Sequence, residues 1–237
     1  MKRLLVCVIV LLTYSITHAQ YGGIIYVNSF IGDDKYSGSS EKPLKTIRAS
    51  LAKVQQNGTV YLYGKFVEEG LSTTHTDVRM IGLGTQPREG NSSRLNGPKN
   101  GAVDWRYDQG NEPLLYVIHQ GWYFENIMIR GSSHGAILII RNIEAESSDI
   151  GKAGDHASFN NVTFQGGASG IEAIGGIFGV KIFNSFFRMI DKAIWVHNNS
   201  VGFPLYWYIN GNRFIDNKIN IEGDLPKSVI VNNYFVP

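Results

Sequence analysis

The sequence predicts an all-β protein, a single-stranded parallel β-helix (solenoid) closed at one end by a short N-terminal capping helix. Three observations carry this. A six-residue pattern (apolar, any, Asn, two of any kind, apolar) returns five times along the chain. Four of those returns are followed by a second strand-like segment. The composition is turn-rich: 237 residues hold 27 glycines and 19 asparagines, with 12% aromatics, a balance of β structure and turns rather than helix.

The first element is a leader. Lys2 and Arg3 precede an unbroken apolar run from Leu4 to Leu12, and Thr17-His18-Ala19 places small residues at −3 and −1 of a cut after Ala19. Charge, apolar core and cut site in that order describe a secretory signal peptide over residues 1–19. The alternatives are an uncleaved anchor or a buried strand. The run is shorter than the roughly 20 apolar residues that span a bilayer, and no later segment is longer. The expected mature protein is exported, secreted or extracellular/periplasmic, with no membrane span. Cleavage removes the single cysteine, Cys7, and with Lys2 and Arg3 gone from the 22 basic residues, 20 face 20 acidic ones. A disulfide framework is excluded. So is the basic stripe of a dedicated nucleic-acid binder.

Residues 20–58 read as an N-terminal strand, loop and capping helix. Ile24 to Val27 is a short strand and Gly32 to Ser40 a polar turn. Thr46 is placed as N-cap before Ile47, Leu51 and Val54, which lie at i, i+4 and i+7 on one helical face. Such a helix covers strand edges that the end of a stack would otherwise expose. Gly58-Thr59 ends it and opens the solenoid, residues 59–237.

The repeated segments are Phe124–Ile129, Phe159–Phe164, Ile182–Phe187, Ile209–Phe214 and Ile230–Phe235. Their Asn position falls at 126, 161, 184, 211 and 232, in steps of 35, 23, 27 and 21, with Gly211 the one substitute. The second strands are Ala136–Ile140, Gly170–Ile174, Ala193–His197 and Lys218–Glu222; Val60–Gly64 and Val78–Gly82 are degenerate earlier copies. The 44 residues from Gly82 to Asn126 leave room for two coils. Period-two alternation buries one face of each strand. One strand pair cannot bury that face alone, whereas stacked coils do. Phe124, Phe159, Phe164, Phe187 and Phe214 then form a core ladder. The Asn amides bond along the axis and tolerate the left-handed conformation of a sharp corner. About eight coils at roughly 4.8 Å each give a rod about 40 Å long. Leucine-rich repeats and propeller blades fit the repeated residues and spacing poorly, and a sandwich leaves the Asn column without a cause.

A resemblance adds to this. Tyr26-Val27, Gly32-Asp33, Ser37-Gly38, Lys42-Pro43-Leu44, Thr46-Ile47, Ala49, Leu51, Val54, Gly58-Thr59-Val60 and Gly64 to Glu68 look like the opening of right-handed parallel β-helix proteins of the pectin-lyase-like superfamily. Ile81 to Gly84 and the later Asn-x-x-Phe coils extend the resemblance to residue 237. It implies a right-handed coil. It does not choose among lyases, glycoside hydrolases, tailspikes and adhesins, because a fold does not fix an activity.

The polygalacturonase-like members imply Asn-Thr-Asp, Asp-Asp, Gly-His-Gly and Arg-Ile-Lys in that order. Here Ser133-His134-Gly135 is a partial match, and Asp33-Asp34 lies before the coils, so that paired-carboxylate site is disfavoured. The pectate-lyase-like members imply an Arg or Lys base beside calcium held by several acids. Arg130, Arg141, Arg188 and Arg213 stand at or near strand ends. Glu144, Glu146, Asp149 and Asp155, in the insertion Ile143 to His156, are the candidate metal ligands; a solvated acidic loop is the bland alternative. No cofactor is required, and calcium is the one candidate.

Aligning the second strands gives a lateral face. With Ile137, Ile171, Ile194 and Ile219 inward, Leu138, Glu172, Trp195 and Asn220 form one outward column and Ile140, Ile174, His197 and Glu222 the next. Glu172, His197 and Glu222 are the candidate catalytic residues; Trp195, Asn220 and Arg141 are the candidate substrate-binding ones. A pyranose stacks on an aromatic face while its hydroxyls find polar partners. The other reading is a covered Trp among ordinary surface residues, and a one-residue register error turns the set inward. The expected function is engagement of a polysaccharide or surface glycan through this face, as lyase, hydrolase or binder. The rival is a non-catalytic structural or adhesive module of a cell or virion surface, tailspike-like. Asn232 to Pro237 end inside a repeat, which raises the expectation of a homo-oligomer, a trimer, through that end.

Overall fold

In the computed structural model, described over residues 22–84, 103–107, 112–140, 153–197 and 205–237, the chain winds as a parallel β-helix. The signal-peptide expectation falls outside these residues. Among the described residues no helix is long and apolar enough to cross a membrane.

Strand β1 (Ile24–Asn28) and helix α1 (Ile47–Lys53) come first. Six complete coils follow, each of three strands: β2 (Thr59–Tyr63), β3 (Lys65–Val67) and β4 (Leu71–Ser72); β5 (Arg79–Gly82), β6 (Val103–Arg106) and β7 (Leu115–Val117); β8 (Tyr123–Glu125), β9 (Ile127–Arg130) and β10 (Ile137–Ile140); β11 (Ser158–Asn160), β12 (Thr163–Gln165) and β13 (Ser169–Ile174); β14 (Lys181–Phe183), β15 (Phe186–Arg188) and β16 (Lys192–His197); β17 (Tyr208–Asn210), β18 (Arg213–Ile215) and β19 (Ile219–Glu222). Strands β20 (Val229–Val231) and β21 (Tyr234–Val236) begin another. The equivalent strands stack into three parallel sheets of eight, seven and six strands.

Two expectations change. The stretch from Gly82 to Asn126 is one coil, not two, because Met80 pairs directly with Phe124. Strand β1, read as part of the cap, pairs with β2 over five residues and is the first rung of the largest sheet.

Helix α1 forms where expected. Thr46 is extended at φ −117° and its side chain accepts from the Ala49 N–H at 3.1 Å, which satisfies one orphan donor of the first turn. The Glu68 carboxylate accepts from the Ile47 and Arg48 N–H groups at 2.7 and 2.9 Å. Burial nevertheless pushes the Glu68 carboxyl above its ordinary pKa. Ile47, Leu51 and Val54 are buried against the first rungs.

The core is a ring ladder. Phe124 stacks on Phe159 at 5.0 Å, Phe164 on Phe187 at 4.8 Å, Phe187 on Phe214 at 4.9 Å and Phe214 on Phe235 at 5.0 Å. These spacings match the roughly 4.8 Å between hydrogen-bonded strands, so the backbone repeat itself sets the ring repeat. The ladder ends in the open: Ile230 and Phe235 of the last described rungs are 44% and 48% exposed.

The corner column adopts the expected left-handed conformation, with φ of 59° at Asn126, 52° at Asn161 and Asn184, 68° at Gly211 and 55° at Asn232. The amides run along the axis with a variation. Asn161 Nδ2 donates to Asn126 Oδ1 at 3.2 Å, while Asn184 and Asn232 reach Asn160 and Asn210, one residue before the corner below. One position on, the chain carries a second, interior polar ladder absent from the sequence reading. The Ser185 N–H donates to Asn212 Oδ1 and the Asn212 N–H to Asn233 Oδ1, both at 2.9 Å. Asn212 is fully buried and its Nδ2 donates to the Ile182 carbonyl, so its amide is satisfied within the wall.

Asn161→Ala removes one axial bond and leaves a β-carbon residue in the left-handed region. It should destabilise the protein by about 2 kcal/mol, half of it from each source, and Asn161→Gly by less. Denaturant midpoints check this; unchanged melting with lost ligand binding in Asn161→Ala would move the residue from scaffold to site.

Candidate functional site

The lateral face lies on the six-stranded sheet. Its register pairs Leu138 with Tyr116 and with Glu172, Glu172 with Trp195, and Trp195 with Glu222. Glu222 therefore sits directly beside Trp195, and Asn220 does not. The sequence alignment put Ile219 over Ile194, but Ile221 occupies that place. The reason lies in the preceding sheet, where Phe164, Phe187 and Phe214 are in register. Ile171, Ile194 and Ile221 each follow seven residues later, so equal turns deliver them to one inward column. Asn220 lies in β19 but is engaged by the turn before it, its Oδ1 accepting from Asn217 Nδ2 at 3.2 Å. His197 pairs with Ile174 as expected, in the neighbouring column.

The structure brings Glu172, Trp195, His197 and Glu222 together and adds Lys192. His197 Nε2 lies 2.9 Å from Glu172 Oε1. The Ser169 hydroxyl donates to Glu172 Oε2 at 3.3 Å. Lys192 Nζ lies 2.9 Å from Glu222 Oε2 and 3.5 Å from the centre of the Trp195 ring. The His197 ring centre is 3.7 Å from that of Trp195. Glu222 Oε2 is shut off from solvent without a hydrogen bond of good geometry, so Lys192 holds it by charge alone. Each carboxylate thus has one basic partner, and the indole lies between the two pairs. Glu172 and His197 are the more enclosed, at 17% and 29% side-chain exposure; Glu222 is 40% exposed.

Lys192 was missed because strict alternation backward from Trp195 turns it inward. The strand breaks its alternation at the corner: Ala193 and Ile194 are both fully buried, and Lys192 projects outward instead. Tyr116 was missed as well. It stands two rungs from Glu172 in the same outward column and donates its hydroxyl to the Glu112 carboxylate. Burial first, then that hydrogen bond, pushes its pKa up to about 12, so it stays a neutral phenol. The column thereby carries two aromatic rings, Tyr116 and Trp195, with Glu172 between them.

Arg141, Glu144, Glu146 and Asp149 fall outside the described residues. Asp155 is described, and its Oδ1 accepts from the Phe178 N–H at 2.8 Å as part of a turn. Among the described residues no group of three or more His, Cys, Asp or Glu is placed to hold a metal ion. A cleft elsewhere, at the corner lined by Gly211, Asn212, Arg213, Asn232 and Tyr234, contains no carboxylate.

No protein-family model matches the chain, and no curated protein matches it. Two solved structures resemble it, the native protein and the selenomethionine derivative of the GH136 lacto-N-biosidase from Eubacterium ramulus. Each is 11% identical; the first covers 90% of this chain and 68% of that one with a TM-score of 0.32, the second 94% and 69% with 0.34. At that level the β-helix rests on its own strand pairing.

Proposed function

We propose that the outward strip Tyr116–Leu138–Glu172–Trp195–Glu222, with His197 and Lys192 beside it, is a glycan-binding face of an exported β-helix protein. One observation carries the reading: two carboxylates flank one indole in register, each with a basic partner. Aromatic rings and paired polar groups supply the two halves of sugar recognition, an apolar face for ring C–H groups and donors and acceptors for hydroxyls. The Lys192 ammonium lies over the indole, so a stacked sugar displaces it and frees Glu222 at the same time. Kinship with the pectin-lyase-like superfamily, and cleavage of residues 1–19, belong to the same proposal.

The carboxylates favour a second, catalytic reading on this face. Glu172 and Glu222 spring from strands two rungs apart, about 9.6 Å between backbones. Inverting glycoside hydrolases separate their acid and base by roughly 6.5–9.5 Å. Glu172, hydrogen-bonded to His197, and Glu222, released by Lys192, are the pair for those roles.

A panel of acidic and neutral polysaccharides, with and without calcium, tests both readings. New reducing ends support hydrolysis, absorbance from an unsaturated uronide supports a lyase, and binding without turnover supports an adhesive module. Trp195→Ala should weaken glycan binding about thirtyfold, the loss of a central aromatic anchor worth about 2 kcal/mol, with its melting temperature kept. Where turnover is found, Glu222→Gln should lower it by about a hundredfold or more and preserve binding. Full binding in Trp195→Ala sinks the proposed face.

A further inference from the structure

A second cluster lies on the seven-stranded sheet, away from the glycan face. Arg106 pairs with Arg130, Arg130 with Gln165, and Gln165 with Arg188, so one outward column carries three guanidinium groups and an amide on four successive rungs. Like charges on adjacent strands repel. One carboxylate answers them: Asp104, whose side chain is fully buried, binds Arg106 Nη2 at 2.7 Å and Arg130 Nε at 2.9 Å. That leaves Arg188 without an ion pair among the described residues. The carboxylate nearest to it in the chain, Asp191, is held by Lys218 at 2.6 Å.

The donors of this column are not left to bulk water. Arg106 Nε, Arg130 Nη2 and Arg188 Nε are all shut off from solvent and have no hydrogen-bond partner. A buried N–H of a charged group is costly to leave unmade, and three in one column mark a place prepared for acceptors. The flank beside Gln165 is open, since a β-carbon on Gly166 would meet nothing within 4 Å.

We propose that Arg130, Gln165 and Arg188 form an oxyanion site, independent of the glycan face. Its ligand carries at least two acceptor oxygens on one centre, as a carboxylate, a sulfate ester or a phosphate monoester does. Guanidinium groups match such oxygens in pairs. Arg188 supplies the uncommitted charge, Arg130 a donor that Asp104 does not use, and Gln165 the amide N–H between them.

The test titrates the intact protein with sodium sulfate, inorganic phosphate and sodium glucuronate, each against sodium chloride at equal ionic strength. The arginine Nε–H resonances are the readout. A saturable shift of the Arg188 resonance with one of the three supports the site, and the active probe identifies the oxyanion class. In calorimetry Arg188→Gln should weaken that probe by about tenfold or more, the factor set by one charge-assisted hydrogen bond. Lys35→Gln, which removes an exposed cation of the N-terminal loop, should leave affinity within about twofold, as expected of a distant surface charge. Shifts no larger than those with chloride in all three arms overturn the proposal, as does equal weakening by the two variants. Should Arg188→Gln fail to fold, the resonance titration of the unaltered protein decides alone.

Discussion

Replacing Phe187 with alanine is expected to destabilise the protein by about 4 kcal/mol, the middle of the range for buried aromatic truncations. Phe187 is fully buried and stacked on both faces, against Phe164 with rings tilted by 11° and Phe214 by 6°. The cavity would open between two coil interfaces at once. The surroundings are poorly able to collapse into it, because the strands on either side are held at their hydrogen-bonded spacing. In a solenoid each coil contacts mainly its neighbours, so this one loss weakens the coupling of two interfaces. Phe235→Ala is the internal comparison. That ring is 48% exposed and is stacked on Phe214 alone, so its loss should cost about 1 kcal/mol, a fraction of full burial. Guanidinium midpoints measure both. Equal losses would mean that the ladder is not the source of stability.

The same ladder explains what could be read in advance. Core residues recur because every coil meets the same neighbours, so Phe, Ile and the left-handed Asn corner repeat visibly at 126, 161, 184 and 232. The capping helix was legible because Thr46 and the Ile47, Leu51, Val54 stripe are local signals. Four members of the face, Glu172, Trp195, His197 and Glu222, were legible as neighbours, but their register was not, and Tyr116 and Lys192 were missed. Ile219 and Ile221 are the same residue type two apart, so both fit an inward position, and only a count from Phe214 separates them. Choosing the nearer one set Asn220 in place of Glu222. Lys192 was hidden by the break in alternation at Ala193, a corner effect that a period-two rule cannot see. Strand β6 was missed for another reason: Val103 and Trp105 do alternate with Asp104 and Arg106, but four residues without the Asn corner that marks the later coils are too short a run to stand out by alternation alone.

The ion pairs of Asp104 with Arg106 and Arg130 carry the second large expected effect. Asp104→Ala should cost about 3 kcal/mol, the low end of what breaking a buried ion pair costs. The low end applies because Arg106 keeps 38% of its side-chain surface in solvent, where water screens its lost partner. Arg130, at 23%, bears most of the penalty. The mechanism is distinct from a cavity. Without the carboxylate, Arg106 and Arg130 face each other across adjacent strands with no anion between them. Asp104→Asn, which keeps the volume and removes the charge, should therefore lose most of the same stability. A cavity would predict a nearly silent Asn variant. The double variant Asp104→Leu with Arg130→Met should recover much of the loss, since an apolar pair of similar size often replaces a buried ion pair at little cost. Denaturant melts of the three variants at low salt separate these outcomes. If guanidinium crowding is the cause, added sulfate should raise the midpoint of Asp104→Ala more than that of the unaltered protein, by supplying the anion that the substitution removed.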